Sequence, residues 1–324
     1  MDIYVKKAII HQFIPDDTDL YLADKFLNIT PKIEEYLRKK IERVYSDEAR
    51  TGIFEEDNPF LEMISDDLLE TSVAVANRWK EEFVVSENQK TNDLVFVQFS
   101  KEGVEHFAFL RIALRETLTH LGGEVDNPIK LTQNNLPGFG TGADEALVIN
   151  LQSRKYHLIE KRIKYNGTFL NYFSENLLQA QPKISPKKSI KALEKTAQKI
   201  AESFNTDDFQ FQSKVKSAIF NHIEEENKLS PEKLADDLFD DNLTARLSFI
   251  DQVKEAVPEP VTFEEIDASR QLKKFENQKL SLSNGIELIV PNNVYEDAES
   301  VEFILNENGT YSILIKNIED IQSK

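Results

Sequence analysis

The spacing of apolar residues divides the first part of the chain into a predicted strand and two predicted helices. Residues 3–13 are rich in β-branched residues and alternate enough to predict a strand. Thr30-Pro31 is typical of a helix start, and the apolar positions that follow keep helical spacing to about residue 45. Asn58-Pro59 repeats this start signal, and the apolar spacing after it predicts a helical run to about residue 85. We expect both helices to pack on a sheet.

Two apolar segments rich in Val, Phe and Ile predict the centre of that sheet. Residues 93–99 and 104–114 are separated by Ser100-Lys101-Glu102-Gly103, a pattern that predicts a β-hairpin. Further strands are predicted over 129–133, 146–151 and 155–163. The N-terminal part is therefore predicted to be α+β.

After Gly167 the pattern becomes helical and then changes to short strands. The predicted helix starts are Ser185-Pro186, Thr206-Asp207 and Ser230-Pro231, and Pro258 and Pro260 end the helical run. Strands are predicted over 279–282, 286–290, 301–306 and 310–315, with hairpin turns at Asn284-Gly285 and Asn308-Gly309.

The predicted fold class is α+β, with an N-terminal mixed sheet and packed helices, then a helical region and a small C-terminal antiparallel β unit. We predict one domain over 1–165 and a second over 166–324, helical over 166–257 and β-rich over 271–318.

The charge pattern changes what this fold is expected to bind. The chain of 324 residues has a net charge of −18, yet residues 154–199 hold 11 Lys and Arg against three acids. Charges are screened over roughly 8 Å at physiological salt, so a polyanion responds to the local patch more than to the distant acidic residues. A segregated basic patch of this kind suits a phosphate backbone.

The helix predicted after Ser185 concentrates that basic charge on one side. At about 100° per residue, its apolar residues from Ile190 to Phe204 share one sector, and the lysines fall in the opposite sector. Lysine is also a good helix former on a solvated face, so the pattern alone leaves both interpretations open. Like charges four residues apart cost about 0.2–0.5 kcal/mol per pair, which favours phosphate contact as the reason for the series.

A second basic group is interleaved with aromatic residues over 154–173. Such a mixture stacks on unpaired bases or rests against a duplex backbone. The alternative, which we favour for Tyr172 and Phe173, is that they join Leu170, Leu177 and Leu178 in a core.

Catalysis, metal binding and membrane insertion have no support in the sequence. The chain has no cysteine, and its five histidines show no metal-ligand spacing. The glycine-rich residues 137–142 match neither a P-loop nor GxGxxG, and we expect a flexible surface loop there. No GxSxG motif and no membrane-spanning apolar run occur. We therefore expect a cytoplasmic protein that is not an enzyme and needs no cofactor or metal.

Several segments resemble the bacterial 37-kDa nucleoid-associated protein family, the NdpA/YejK-like proteins. They are Ile9-Ile10-His11, Phe107-Ala108-Phe109-Leu110, Asn171 to Leu178, Lys279 to Leu282, Gly285 to Leu288, Pro291, Val301 to Ile304 and Gly309 to Ile318. The mass of 37.3 kDa agrees. The resemblance implies a cytoplasmic bacterial protein that associates with the nucleoid and binds DNA, and it supplies no site residue.

Two functions follow as hypotheses. The first is sequence-independent binding to the backbone of double-stranded DNA through the basic patch. The second is an acidic adaptor that binds a basic nucleoid or DNA-processing protein and reaches the nucleoid indirectly. Exposed strand edges and the C-terminal β unit also leave room for a homodimer. The predicted DNA-binding residues, from the charge argument alone, are Arg154, Lys155, Lys161, Arg162, Lys164, Lys187, Lys188, Lys191, Lys195 and Lys199.

Overall fold

The chain forms two compact units, Met1–Ser185 and Pro186–Lys324. The computed structural model describes residues 1–15, 19–84, 90–120, 129–165, 167–206, 208–263 and 265–322, with the side chain of residue 165 excepted. The architecture is mixed α+β, as the sequence predicts.

Unit 1 is built on a seven-stranded antiparallel sheet. The unit's strands are β1 (Ile3–Ile14), β2 (Asp19–Tyr21), β3 (Arg50–Ile53), β4 (Asn92–Lys101), β5 (Val104–Ala113), β6 (Arg115–His120), β7 (Ile129–Asn135), β8 (Glu145–Asn150), β9 (Lys155–Ile159), β10 (Ile163–Tyr165) and β11 (Thr168–Leu170). The sheet order is β2-β1-β4-β5-β8-β9-β3, and β6–β7 and β10–β11 form separate two-stranded ribbons. The predicted hairpin is confirmed as β4–β5, with Gly103 at a φ of 82° in its turn.

Helices cover both faces of this sheet. The helical segments of unit 1 are α1 (Pro31–Glu42), a 3-10 turn (Arg43–Tyr45), α2 (Pro59–Glu62), α3 (Leu68–Phe83) and a π-helical turn (Phe173–Leu177). Phe96 and Phe109 face the core that includes Trp79 of α3, whereas Val97 and Leu110 face the core formed with α1. Because the central strands are buried on both sides, their sequences are nearly continuous apolar runs.

The helical run predicted after Asn58 is two helices in the structure, so the prediction of one continuous helix is wrong. Asn58 caps α2 by accepting from the N–H of Phe60, and Asp67 caps α3 by accepting from the N–H of Leu69. Between them the N–H of Ser65 donates to Thr71 Oγ1 at 2.8 Å. These short polar side chains satisfy backbone groups locally, which interrupts the helix where apolar spacing alone predicts continuity.

Unit 2 has a helical core followed by two β-hairpins. Its elements are α4 (Pro186–Ser203), α5 (Phe209–Glu226), β12 (Lys228–Leu229), α6 (Pro231–Leu238), α7 (Leu243–Ala256), β13 (Val261–Thr262), α8 (Ser269–Phe275), β14 (Asn277–Ser281), β15 (Glu287–Pro291), α9 (Asn292–Tyr295), β16 (Val301–Leu305) and β17 (Tyr311–Ile315). Helices α4 to α8 share one core. We name β14–β15 hairpin A and β16–β17 hairpin B. Both predicted turns are confirmed by left-handed glycines, Gly285 at a φ of 87° and Gly309 at 78°.

Two of the three predicted helix starts of this unit are confirmed, and the third lies partly outside the described residues. Helix α4 begins at Pro186, and Ser230 caps α6. The start predicted at Thr206-Asp207 includes residue 207, which is outside the described residues, and α5 begins after its cap Asp208.

The division between the units falls after Ser185 and not at the predicted boundary of 165/166. Residues 167–185 carry Tyr172, Phe173, Leu177 and Leu178 into the core of unit 1. Asn58 also donates to the carbonyl of Leu178 at 3.0 Å. The residues directly after Gly167, which were predicted to begin the second domain, instead complete the core of the first unit.

Candidate nucleic-acid interface

Helix α4 presents the predicted lysines on one exposed side. We call Lys187, Lys188, Lys191, Lys195 and Lys199 the lysine face, and all five are exposed. The opposite side, which includes Ile190, Leu193, Ala197, Ile200 and Ala201, is buried in the core of unit 2. The predicted split of this helix into an apolar and a basic side is confirmed. Since the core holds α4 by its apolar side, its lysines can change without removing packed side chains.

The lysine face keeps most of its charge unpaired within the described part of the chain. No described carboxylate lies within ion-pair distance of Lys188, Lys191 or Lys195. Glu194, the one acid among these lysines, is paired with Lys274 of α8 at 3.1 Å. Lys199 Nζ donates to the amide oxygen of Gln252 at 3.2 Å, a neutral partner. The acid that most directly opposes the basic charge of α4 is thus already neutralised.

The lysines of this face are regularly spaced along the helix. Four of its lysines recur every fourth residue from Lys187 to Lys199, which spans about 18 Å at a rise of 1.5 Å per residue. Phosphates follow one another along each strand of B-DNA at roughly 3.4 Å of helix axis. A lysine ammonium is a compact point charge on a flexible stem, a group that suits phosphate contact better than the reading of base edges.

The five predicted residues in unit 1 are more strongly engaged with the protein itself. Arg154 pairs with Glu56 at 3.0 Å, and Lys161 pairs with Asp144 at 3.0 Å. Arg162 donates to the main-chain oxygen of Phe169 at 2.9 Å. The remaining two, Lys155 in β9 and Lys164 in β10, have exposed side chains.

The ion pair between Lys161 and Asp144 affects the pKa of the aspartate. Asp144 is partly buried, which by itself disfavours its charged form. The N–H of Ala113 and the ammonium of Lys161 outweigh this burial and hold the pKa of Asp144 below its ordinary value. The ammonium of Lys161 is therefore committed to a charge in its own unit.

Most aromatic residues near this second group are core residues. Tyr172 and Phe173 are fully buried, which confirms the core interpretation for them. The hydroxyl of Tyr172 donates to Glu145 Oε2 at 2.5 Å and accepts from Trp79 Nε1 at 3.0 Å. Phe169 is the exception, since its side chain is exposed and it lies directly across the β10–β11 ribbon from Lys164.

The two basic groups belong to different units. The lysine face lies on α4 of unit 2, and the group from Arg154 to Lys164 follows β8 to β10 of unit 1. The first group is a single surface on one helix. The second is distributed over a turn, a strand and a ribbon.

A buried lysine in unit 1 was missed by the sequence interpretation. Lys40 Nζ donates to the main-chain oxygens of Gly138 at 2.8 Å and Thr141 at 2.5 Å, and it lies 4.4 Å from the centre of the Tyr36 ring. Burial lowers its pKa to about 8, with Arg43 adding to the effect. The glycine-rich residues expected to form a flexible surface loop are therefore held by an enclosed ammonium. The available signal was that position 40 falls on the apolar side of α1.

An enclosed ion pair at the centre of the sheet was also missed. Arg111 Nε donates to Glu145 Oε2 at 2.6 Å, and Arg111 also donates to Asn92 Oδ1 at 2.9 Å. Burial and the charge of Glu145 raise the pKa of Tyr172 well above its ordinary value. This network is enclosed in the core, and its chemistry is that of a structural ion pair.

Metal and membrane sites are absent from the described structure. No group of three or more His, Asp or Glu residues in the described ranges is arranged to hold a metal ion. Within the same ranges, no helix has the length and apolar character needed to cross a membrane.

The fold and its basic helix define a two-unit α+β protein with an acidic balance and one segregated cationic surface. Residues 9–321 match the family model described as nucleoid-associated protein YejK, and the chain belongs to this family. No curated protein matches the chain. The family is one of nucleoid-associated proteins.

Proposed function

We propose that this chain binds double-stranded DNA through phosphate contacts and with little dependence on sequence. The observation that carries the proposal is the lysine face of α4, five exposed lysines opposite a fully packed apolar side. Membership of a nucleoid-associated family supports the same partner. The protein would then act in the cytoplasm, on the nucleoid, as a binding protein without a cofactor.

The residues proposed to contact phosphate are not all equally well supported. Lys188, Lys191 and Lys195 come first, because no described acid pairs with them. Lys187 and Lys199 extend the same surface to both ends. Lys155, Lys164, Arg154, Lys161 and Arg162 are proposed as additional contacts of unit 1. They come second, since Arg154, Lys161 and Arg162, for example, would have to exchange an internal partner for phosphate.

The test is a salt series of binding to a random-sequence duplex with two charge-matched triple variants. The first is Lys187→Glu, Lys191→Glu and Lys195→Glu on the lysine face. The control is Lys228→Glu, Lys254→Glu and Lys273→Glu, three exposed lysines of the same unit that lie on other elements. Both variants change the net charge equally, so a difference between them reports the position of the charge.

We expect the lysine-face variant to bind at least about 100-fold more weakly near 0.1 M salt. The slope of log K against log salt should also fall by roughly three, since each phosphate contact contributes about 0.9. The control variant should keep most of the wild-type slope. Equal losses in the two variants would show that net charge, and not the lysine face, governs binding.

The acidic adaptor remains a second candidate because of the net charge of −18. It requires that the wild-type protein have negligible affinity for naked duplex even at low salt. That result would contradict direct binding and favour a basic nucleoid or DNA-processing protein as the partner.

A further inference from the structure

The β10–β11 ribbon of unit 1 presents an aromatic ring that its own unit leaves uncovered. Phe169 of β11 is 58% exposed, the highest value for a phenylalanine in the part of the chain that the structure describes. The other exposed phenylalanines have a partner: Phe139 lies 5.5 Å from the Tyr36 ring, and Phe26 lies 5.4 Å from the ammonium of Lys7. No described ring or cation is placed over Phe169 in this way, so its ring is open to a ligand.

The register of the ribbon explains this exposure. Ile163 pairs with Leu170 across the ribbon, and this pair contacts the core of unit 1. Successive residues of a strand point to opposite faces, so the next pair, Lys164 and Phe169, points away from that core. The ring therefore lies on the broad outer face of the ribbon, with the Cβ atom of a lysine roughly 5 Å from its own.

The charges close to this ring have one sign. Residues 161–174 contain three basic residues and no acid. The guanidinium of Arg162 donates to the main-chain oxygen of Phe169 at 2.9 Å, which brings a second cation beside that of Lys164. Glu160, the acid that precedes this segment, has a buried carboxylate that is already bound within unit 1. It does not oppose an anion that approaches Phe169.

An open ring beside two cations matches the chemistry of an unpaired base and its phosphates. Proteins that hold single-stranded DNA stack its bases on aromatic side chains and contact its backbone with basic groups. Stacking of this kind tolerates any sequence, because every base has a π face. In a duplex those faces are covered by neighbouring bases, and insertion between them costs unstacking energy. A ring on the flat side of a ribbon suits a base that is already exposed.

We propose that Phe169, Arg162 and Lys164 form a site for an unpaired base of single-stranded DNA. The ring supplies the stacking surface, and the two cations contact the flanking phosphates. This function goes beyond duplex binding and does not rest on it, because the site lies on unit 1 and the lysine face lies on α4 of unit 2.

The first test is binding of the full chain to a fluorescein-labelled oligo(dT) of about 12 nucleotides, measured by fluorescence anisotropy. We expect Phe169→Ala to bind at least about 10-fold more weakly, and Phe169→Tyr, which keeps a ring, to bind nearly as tightly as the wild type. The control is Phe139→Ala, which removes another exposed phenylalanine of unit 1 and should leave the affinity unchanged.

A salt series with the same oligo(dT) separates stacking from charge. Phe169→Ala should lower the affinity by a similar factor at every salt concentration and leave the slope of log K against log salt unchanged, because a neutral ring releases no counterion. Arg162→Gln with Lys164→Gln should flatten that slope by about 1.4, since each phosphate contact to a single strand contributes about 0.7. An unchanged slope in the double variant would contradict the phosphate contacts.

Phe169→Trp reports the stacking itself. Trp79 is fully buried, so an exposed indole at position 169 is the one that a bound base can quench. We expect oligo(dT) to quench this fluorescence on binding, and binding without quenching would contradict stacking at this position.

Three further results would overturn the proposal. They are a wild-type chain that does not bind oligo(dT) even at low salt, a Phe169→Ala variant that binds it as tightly as the wild type, and a Phe169→Ala variant that loses duplex and oligo(dT) affinity by the same factor. None of them decides the role of the lysine face, whose test uses a duplex and substitutions in α4.

Discussion

His11 is a fully buried side chain of β1 whose hydrogen bonds define its protonation. The N–H of Ala23 donates to His11 Nδ1 at 3.0 Å, so this nitrogen is an acceptor. The proton therefore lies on Nε2, which donates to Ser72 Oγ at 2.9 Å, and that hydroxyl donates to the carbonyl of Leu69. Burial lowers the pKa of His11 to about 4 from its ordinary 6.5, because the imidazolium would lose its hydration.

This pKa predicts an acid-sensitive unit 1. Between pH 6.5 and 4 the unfolded chain protonates His11 while the folded chain does not, so the unfolded state binds more protons. The free energy of unfolding should therefore fall as the pH is lowered through this window, and His11 should account for up to about 3 kcal/mol of that loss. Denaturant titrations at several pH values check the slope. The contribution should disappear in His11→Gln and persist in His120→Gln, whose histidine is exposed. Identical slopes in the wild type and His11→Gln would contradict it.

Among the elements, the β3–β9 pair at the edge of the sheet depends on a glycine. Gly52 lies opposite Tyr156, and a Cβ at position 52 would be 2.3 Å from the Tyr156 hydroxyl oxygen and 2.4 Å from its Cζ. Tyr156 is buried against Phe54, with ring centres 4.4 Å apart, and has little room to move. The absence of a side chain at this position lets the tyrosine lie over the strand.

We expect Gly52→Ala to lower the free energy of unfolding of unit 1 by about 1–3 kcal/mol through this overlap. Chemical denaturation of the variant measures the loss. Gly140→Ala is the matched control, since no atom lies within 4 Å of its added Cβ. A neutral Gly52→Ala variant would mean that Tyr156 can move aside at little cost.

The elements also show which parts of the structure a sequence can predict. The two sides of α4 and the turns at Gly285 and Gly309 depend on spacing within a few residues, and all were predictable. The pairing of β6 with β7, apart from the main sheet, depends on topology that local spacing does not encode. The break before α3 was missed because capping by Asp67 outweighs apolar periodicity.

In the candidate site, too, features set by local spacing were predictable and features set by tertiary structure were not. The lysine face was predictable because its residues lie on one helix and their spacing alone places them together. The pairing of Glu194 with Lys274 was not, because the two residues are 80 positions apart and meet only in the folded unit. The acid that seemed to oppose the basic surface is therefore neutralised by tertiary structure.

For the molecule as a whole, the separate hydrophobic cores predict separate unfolding transitions. One cluster of buried residues is assembled from α4 to α8, and two others lie on the faces of the sheet in unit 1. Trp79, the single tryptophan, is fully buried in unit 1, so its fluorescence reports that unit alone.

We expect Leu193→Ala, which empties a fully buried position of unit 2, to destabilise that unit by about 3 kcal/mol. This substitution should lower the midpoint of an unfolding transition seen by far-ultraviolet circular dichroism and leave the midpoint of the tryptophan fluorescence transition unchanged. Leu147→Ala, at a fully buried position of unit 1, should lower the midpoint of the tryptophan transition and leave the transition of unit 2 unchanged. A shift of the tryptophan midpoint in Leu193→Ala would show that the two units unfold together.

The Lys40 contacts determine which positions around this loop can tolerate substitution. The ammonium is met by main-chain oxygens of Pro137, Gly138 and Thr141, which every residue type supplies. Gly138 and Gly140 also have open space where a Cβ would extend. Substitution of Gly138 or Gly140 should therefore cost little, whereas replacement of Lys40 would leave several enclosed carbonyls without their donor. Among natural variants, substitutions should therefore be common at the two loop glycines and rare at Lys40.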